Sequence, residues 1–244
     1  KKKSKFVELD RKLTVFLRKI SENIIFSQGT GGNISIKHND YLYVKSSGLP
    51  MSDFEKKDFF SKIKYKKIDY RKYSSKSLNK TVKTWIGKKP SIESTLHYAI
   101  ESKYVFHLHE LFSLSIFTHK KNLMDLNNKL PNLSVLEYSS PGIEVTKKIL
   151  SEKAYLNKII VLRNHGLIIH SDSLDEVEEL CFEFSKKCSN YLSSKKTIEL
   201  KNYKKNKDFN SSTIQKKLIK DIKIKWRSYP DHIVYFGVKP NTDI

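Results

Sequence analysis

Val105-Phe106-His107-Leu108-His109 decides how this chain is read. Residues i and i+2 of a strand point to the same side, so two imidazoles share one face of a predicted strand. A second run, Leu162-Arg163-Asn164-His165-Gly166, supplies a third histidine at the end of another predicted strand. Glu93, in Pro90-Ser91-Ile92-Glu93, is the carboxylate placed to work beside them. Imidazole nitrogens bind zinc at about 2.0–2.1 Å, and three protein ligands leave a fourth position open, which distinguishes catalytic from structural zinc. A lone histidine on a strand is more often a packed side chain. His38, His119, His170 and His232 are read that way, and so is His97, one turn after Glu93, with touching the site or orienting that glutamate as its alternative. His-X-His is uncommon without a metal, so His107 and His109 are read as a pair of ligands.

Working outward, Phe6, Leu9, Leu13, Phe16, Leu17 and Ile20 have the spacing of an amphipathic helix over residues 4–24. Gly29-Thr30-Gly31-Gly32-Asn33-Ile34-Ser35-Ile36-Lys37 and Tyr41-Leu42-Tyr43-Val44-Lys45 read as two strands joined by a turn at His38-Asn39-Asp40, and Ser46-Ser47-Gly48-Leu49-Pro50 ends the second. The lysine-rich stretch 52–89, anchored by Phe59 and Ile63, is expected to hold short strands and exposed turns. Pro90 and Ser91 are expected to open a helix running to about Ser102, with Ser91 as N-cap and Glu93 in the first turn, where a carboxylate suits the dipole. Strands are expected at 104–109, 133–138 and 158–163, the last continuing after its turn through Leu167-Ile168-Ile169-His170. Leu111–Phe117 and Thr146–Ser151 are expected to be helical. Ser173 with Glu176 forms a capping box at the head of a long helix carrying Val177, Leu180, Phe184 and Tyr191. The polar segment 196–222 and a late strand at 231–237 form an appended C-terminal stretch. The organisation is therefore one domain over 1–195 with an extension over 196–244, packed on that domain or on a neighbouring subunit.

The 244 residues suffice for a sizeable core, and 38% hydrophobic with 11% aromatic content suits a folded globule. No run approaches the roughly 18–20 apolar residues of a membrane span, and Lys1-Lys2-Lys3-Ser4-Lys5 leads straight into the first helix without an apolar signal core. A cytoplasmic location and no membrane partner are expected. Cys181 and Cys188, seven apart in a helical pattern, are read as reduced and packed. The net charge of +21 invites a nucleic-acid partner, yet only five of the 47 basic residues are Arg, the side chain that reads phosphates and bases bidentately. The lysines are scattered over nearly every segment, so no nucleic-acid partner is expected, only a mild attraction for anionic metabolites.

Gly32-Asn33-Ile34-Ser35, Ser47-Gly48, Pro90-Ser91-Ile92-Glu93, His107-Leu108-His109 and Asn164-His165-Gly166 follow one another in an order that resembles the class II aldolase/adducin family, typified by L-fuculose-phosphate and rhamnulose-phosphate aldolases. Each motif alone is weak; their order and spacing over roughly residues 6–194 carry the resemblance. It implies an α/β fold, a three-layer α/β/α arrangement with a central, largely antiparallel sheet, assembled as a homotetramer. It implies one Zn2+ per chain on His107, His109 and His165, with Co, Mn or Ni as other ions that three imidazoles accept. Glu93 would be the acid/base at the carbon of a metal-stabilised enediolate. The phosphate of a small ketose phosphate would rest on Gly32, Asn33, Ser47, Gly48 and Ser91, where glycines let backbone N–H groups approach and serines add donors. The bare reading of those glycines is a plain hairpin.

The implied reaction is cleavage to dihydroxyacetone phosphate and an aldehyde. The family also offers 4-epimerisation of a pentulose phosphate, dehydration of a sugar phosphate, or a non-catalytic adducin-like domain. Ile92 departs from the two serines that commonly precede the glutamate, which bears on whether the substrate carries a phosphate. The family's C-terminal tyrosines have no firm match, Tyr229 and Tyr235 being the candidates.

Overall fold

The computed structural model describes residues 11–67, 75–118 and 133–194. Their strands are β1 (Asn33–His38), β2 (Tyr41–Lys45), β3 (Phe60–Lys64), β4 (Trp85–Ile86), β5 (Tyr104–Leu108), β6 (Leu133–Leu136), β7 (Ile159–Leu162) and β8 (Gly166–Ser171). The helices are α1 (Arg11–Ser21), α2 (Ser75–Thr81), α3 (Ser94–Ala99), α4 (Leu111–Phe117), α5 (Ile143–Ser151) and α6 (Leu174–Ser194). The strands join in one sheet of order β4-β3-β2-β1-β5-β8-β7-β6. Every pairing is antiparallel except β6 with β7.

Strand parity divides the interior into two cores. Ile34, Ile36, Phe106, Leu108, Leu167 and Ile169 meet Phe16, Leu17 and Ile20 of α1, Ile116 and Phe117 of α4, and Val177, Cys181 and Phe184 of α6. Val105, Ile160, Leu162 and Ile168 turn the other way, onto Leu96 of α3 and Val145 and Ile149 of α5. Leu42, Val44 and Ile63 continue that second layer against Leu78 of α2 and Tyr98 of α3. The fold is a helix–sheet–helix sandwich with a largely antiparallel sheet, because nearly every central strand is apolar on both faces and needs a cover on each. Cys181 and Cys188 are free and buried, and burial pushes both thiols well above the ordinary range, so they act as small apolar packing groups.

Most local expectations hold, and several need correction. The lysine-rich stretch has strands and buried Phe59 and Ile63 as expected, but it also contains α2. The capping box of α6 is half-made: Glu176 N donates to Ser173 Oγ at 3.4 Å, but the Glu176 carboxylate turns to Ser171 Oγ and Lys158 instead of the Ser173 amide. Among the described residues no helix is long and apolar enough to cross a membrane. His119, His232, Tyr229, Tyr235, the strand expected at 231–237 and the extension 196–244 lie outside the described residues.

Candidate active site

Three pairings, two of them between segments far apart in the chain, bring the sequence motifs to one end of the sheet. In the first, β1 and β5 register Asn33 opposite His107. In the second, the β7–β8 hairpin pairs Leu162 with Gly166, leaving Arg163, Asn164 and His165 as the turn. Asn164 takes the left-handed conformation (φ 56°), which Asn tolerates better than most residues. The buried Arg163 anchors that turn, donating to the Phe117 carbonyl at 2.9 Å and to both carboxylate oxygens of Glu137 at 2.6 Å. In the third, residues 89–91 are zipped along the end of β2: Ser46 bridges Pro90, Ser47 N donates to Lys89 O at 2.8 Å, and Ser91 N donates to Lys45 O at 3.1 Å.

That last pairing corrects the expected start of α3. Pro90 and Ser91 are held in extended pairing, the helix begins at Ser94, and Glu93 is its N-cap residue. Ser91 still turns the chain into the helix, its Oγ accepting from Glu93 N at 3.3 Å and its carbonyl accepting from Ser94 N at 3.1 Å. The helix ends at Ala99, short of the expected Ser102. Glu93 makes no side-chain cap; its carboxylate turns into the site.

His107, His109 and His165 converge there, their ligand nitrogens within 4.8 Å of one another and all three rings buried. Ring centroids are 5.2 Å apart for His107–His109, 4.8 Å for His107–His165 and 5.9 Å for His109–His165. Two glycines make room. A Cβ on Gly166 would lie 2.8 Å from His107 Cε1 and 2.7 Å from the Leu108 carbonyl. Gly32, at φ +70°, lies where a Cβ would come within 2.9 Å of the His107 carbonyl.

Glu93 reaches into this cluster. Its Oε1 is 3.0 Å from His165 Nε2 and its Oε2 is 3.4 Å from His107 Nε2, while Oε2 also accepts from Asn33 Nδ2 at 2.8 Å. Burial drives the His107 pKa down to about 3, with the neighbouring imidazoles adding to the effect and Glu93 opposing it, so that ring is neutral at pH 7. Burial alone would raise the Glu93 pKa, but His107, His165 and the Asn33 amide hold it well below the ordinary carboxylate range. The carboxylate is therefore ionised here, not poised near neutrality.

His107 Nε2 is buried without a hydrogen-bond partner. A buried nitrogen of that kind costs free energy unless its lone pair is used. Three buried imidazoles beside one carboxylate are a donor set that fits a single divalent transition-metal ion.

The expected anion-binding residues Gly32, Asn33, Ser47, Gly48 and Ser91 line one cavity of about 190 Å³ together with Glu93, His109 and His165. Ser47 and Gly48 are exposed to it. The Asn33 side chain is committed elsewhere, to Glu93 and His97. Ile92 stands at the mouth, 64% exposed. Sequence reasoning missed Lys45, which lines the cavity and whose Nζ donates to the carbonyls of Thr30, at 3.1 Å, and Leu49. Burial lowers its pKa to about 8, with Glu93 opposing, so it keeps most of its charge at pH 7. The signal in the sequence was its place at the end of β2, immediately before Ser46-Ser47-Gly48. A larger cavity of about 380 Å³ lies between β7 and α6, but its charged lining is paired, Lys158 with Glu176 and Lys187 with Glu183. It contains no histidine cluster, so chemistry decides against size.

Residues 17–192 match the class II aldolase and adducin N-terminal domain. An L-fuculose phosphate aldolase of Methanocaldococcus jannaschii is 27% identical over 176 residues, 68% of this chain and 82% of the relative. A 3-oxo-tetronate 4-phosphate decarboxylase of Haemophilus influenzae is 27% identical over 142 residues, 48% of this chain and 67% of the relative. Among solved structures, the N-terminal class II aldolase domain of a conserved protein from Thermoplasma acidophilum superposes with a TM-score of 0.63 at 24% identity, covering 79% of this chain and 97% of that one.

Proposed function

The chain belongs to the class II aldolase and adducin family, and from that premise we propose that it is a zinc-dependent aldolase. Its substrate is a small ketose phosphate, cleaved to dihydroxyacetone phosphate and an aldehyde. The observation that carries this reading is the convergence of His107, His109 and His165 with the Glu93 carboxylate at 3.0 Å from His165 Nε2. His107, His109 and His165 would hold a divalent ion, which would supply Lewis acidity at the substrate carbonyl.

The residues of the chain then have distinct tasks. Glu93, ionised and held by Asn33, exchanges the proton at the carbon next to the carbonyl: it takes that proton in the condensation direction and returns it after cleavage. Ser47, Gly48, Ser91 and Gly32 receive the phosphate, where backbone N–H groups and hydroxyls can approach it closely. Lys45 adds positive charge to the wall of the same cavity. Ile92 gives the mouth an apolar rim in place of a second hydroxyl, so the phosphate depends more heavily on the Ser47-Gly48 turn. An adducin-like binding domain without catalysis has no need of three buried imidazoles around one carboxylate. Keeping that arrangement exacts a desolvation cost.

A second reading draws on the Haemophilus influenzae relative. Loss of carbon dioxide from a 3-oxo acid leaves its electron pair on the carbon beside a ketone, as aldol cleavage does. The same cluster and the same Glu93 proton transfer serve both reactions, which differ only in the fragment that departs. Epimerisation of a pentulose phosphate and dehydration of a sugar phosphate would call on the same imidazoles and carboxylate.

The test is to incubate zinc-loaded protein with ketose phosphates and with 3-oxo-tetronate 4-phosphate, following triose phosphate, aldehyde and carbon dioxide. Aldehyde with triose phosphate from a ketose phosphate supports the aldolase. Carbon dioxide from the oxo acid alone replaces it with the decarboxylase, and no turnover of either class overturns both.

A further inference from the structure

Behind Glu93 the polar side chains form one buried line. Asn33 Nδ2 donates to Glu93 Oε2 at 2.8 Å, Asn33 Oδ1 meets His97 Nε2, and His97 Nδ1 lies 2.8 Å from Ser35 Oγ. Asn33 and Ser35 are two apart on β1 and so share the face turned to α3, while His97 sits one turn after Glu93 in the same helix segment. All four side chains are buried, His97 and Ser35 completely.

Complete burial lowers the His97 pKa well below the ordinary imidazole range, and for a neutral ring only one arrangement of hydrogens satisfies the whole line. A carboxylate can only accept, so the Asn33 NH2 group faces Glu93 and its oxygen faces His97. His97 must then carry its proton on Nε2, and its Nδ1 lone pair accepts from the Ser35 hydroxyl. Removing the Nε2–H would leave Asn33 Oδ1 buried without a donor, and the amide would rotate away to find one.

We propose that His97 is a positioning residue. Through Asn33 it holds the Glu93 carboxylate in the single orientation that presents Oε1 to His165 and Oε2 to His107. The consequence for turnover rests on the aldolase reading; the hydrogen arrangement does not. Metal ligands of enzymes are commonly oriented by such outer partners, and losing one costs about 10- to 100-fold. Here the oriented group is the carboxylate.

The test has two parts. In protein with 15N-labelled histidine, two-bond proton–nitrogen correlation spectra report the ring tautomer, with the His97 signals assigned by their loss in His97→Gln. A proton on Nε2 is expected at neutral pH; a proton on Nδ1, or a doubly protonated ring, overturns the proposal without any appeal to activity. In the zinc-loaded enzyme, His97→Phe removes the donor, whereas His97→Gln can restore an N–H near the Nε2 position. His97→Phe should lower kcat about 10- to 100-fold with KM within about twofold and bound zinc unchanged, and His97→Gln should recover activity to within about threefold of the parent. Equal loss in both variants, or none in either, overturns the positioning role. If His97→Phe fails to fold, the tautomer and the Gln variant still decide. A parent protein inactive on every ketose phosphate sinks the aldolase reading alone, because the tautomer is measured regardless.

Discussion

Glu93 Oε1 lies 3.0 Å from His165 Nε2, joining the cap of α3 to the turn of the β7–β8 hairpin. One carboxylate therefore touches the histidine cluster while standing outside the set of nitrogens proposed to hold the ion. Glu93→Gln keeps the size and hydrogen-bonding reach of the side chain and removes the proton-accepting oxygen. Turnover should fall by about 100- to 10,000-fold, the usual worth of a positioned acid or base, while elemental analysis shows zinc retained. Activity within tenfold of the parent would remove Glu93 from the proton transfer.

Metal removal should be felt by the fold as well as by the chemistry. The buried, unpartnered His107 Nε2 has no favourable use in the apo protein, and a ligand that binds only the native state stabilises it by mass action. Chelation should lower the melting temperature of the parent by several degrees, and zinc should restore it. In His107→Ala the same treatment should shift it little. Equal shifts in both proteins would place the stabilising ion elsewhere.

The parts of the site legible in the sequence are those fixed by local geometry. His107 and His109 share a side because strand parity is a local property, and His165 precedes a glycine that the crowded cluster requires. The layering of the sheet is implied by the family resemblance, and runs such as Val105-Phe106 and Ile168-Ile169 fill both of its faces. What the chain hides is non-local. Ser91 reads as an N-cap until Pro90 is seen pairing with Ser46, which moves the helix start to Ser94. Asn33 reads as part of a glycine-rich anion loop, yet its side chain is taken by Glu93 and His97, 60 and 64 residues further along, separations that no periodicity reveals.

His170 should govern part of the acid limb of stability. It is buried at 5% exposure between Ser102 Oγ at 2.9 Å and the Asn157 carbonyl at 3.0 Å, and burial lowers its pKa from 6.5 to about 4. Between those values the unfolded chain binds the proton and the folded chain does not, so stability rises with pH from about 4 to 6.5 and is lost in the reverse direction. At about 1.4 kcal/mol per pH unit, the full penalty below pH 4 is on the order of 3 kcal/mol. His170→Gln should flatten the dependence of the denaturation midpoint on pH in that window. An unchanged slope would assign the acid sensitivity to other groups.

Gly166 offers the sharpest separation of shape from chemistry. It carries no functional group, but a single methyl at its Cα would sit 2.8 Å from His107 Cε1, 3.1 Å from His109 Cδ2 and 2.7 Å from the Leu108 carbonyl. The carbonyl belongs to β5, so relieving that contact shifts the paired ends of β5 and β8, and the two histidine rings must yield as well. Overpacking of this kind costs about 1–3 kcal/mol, and here the displacement falls on two of the three imidazoles proposed to hold the ion. Gly166→Ala should therefore lose zinc affinity at least tenfold while circular dichroism shows the fold intact, and turnover should return only at raised zinc concentration. Zinc affinity equal to that of the parent would mean that the two rings have room to move without leaving the ion, and that the glycine serves the hairpin turn alone.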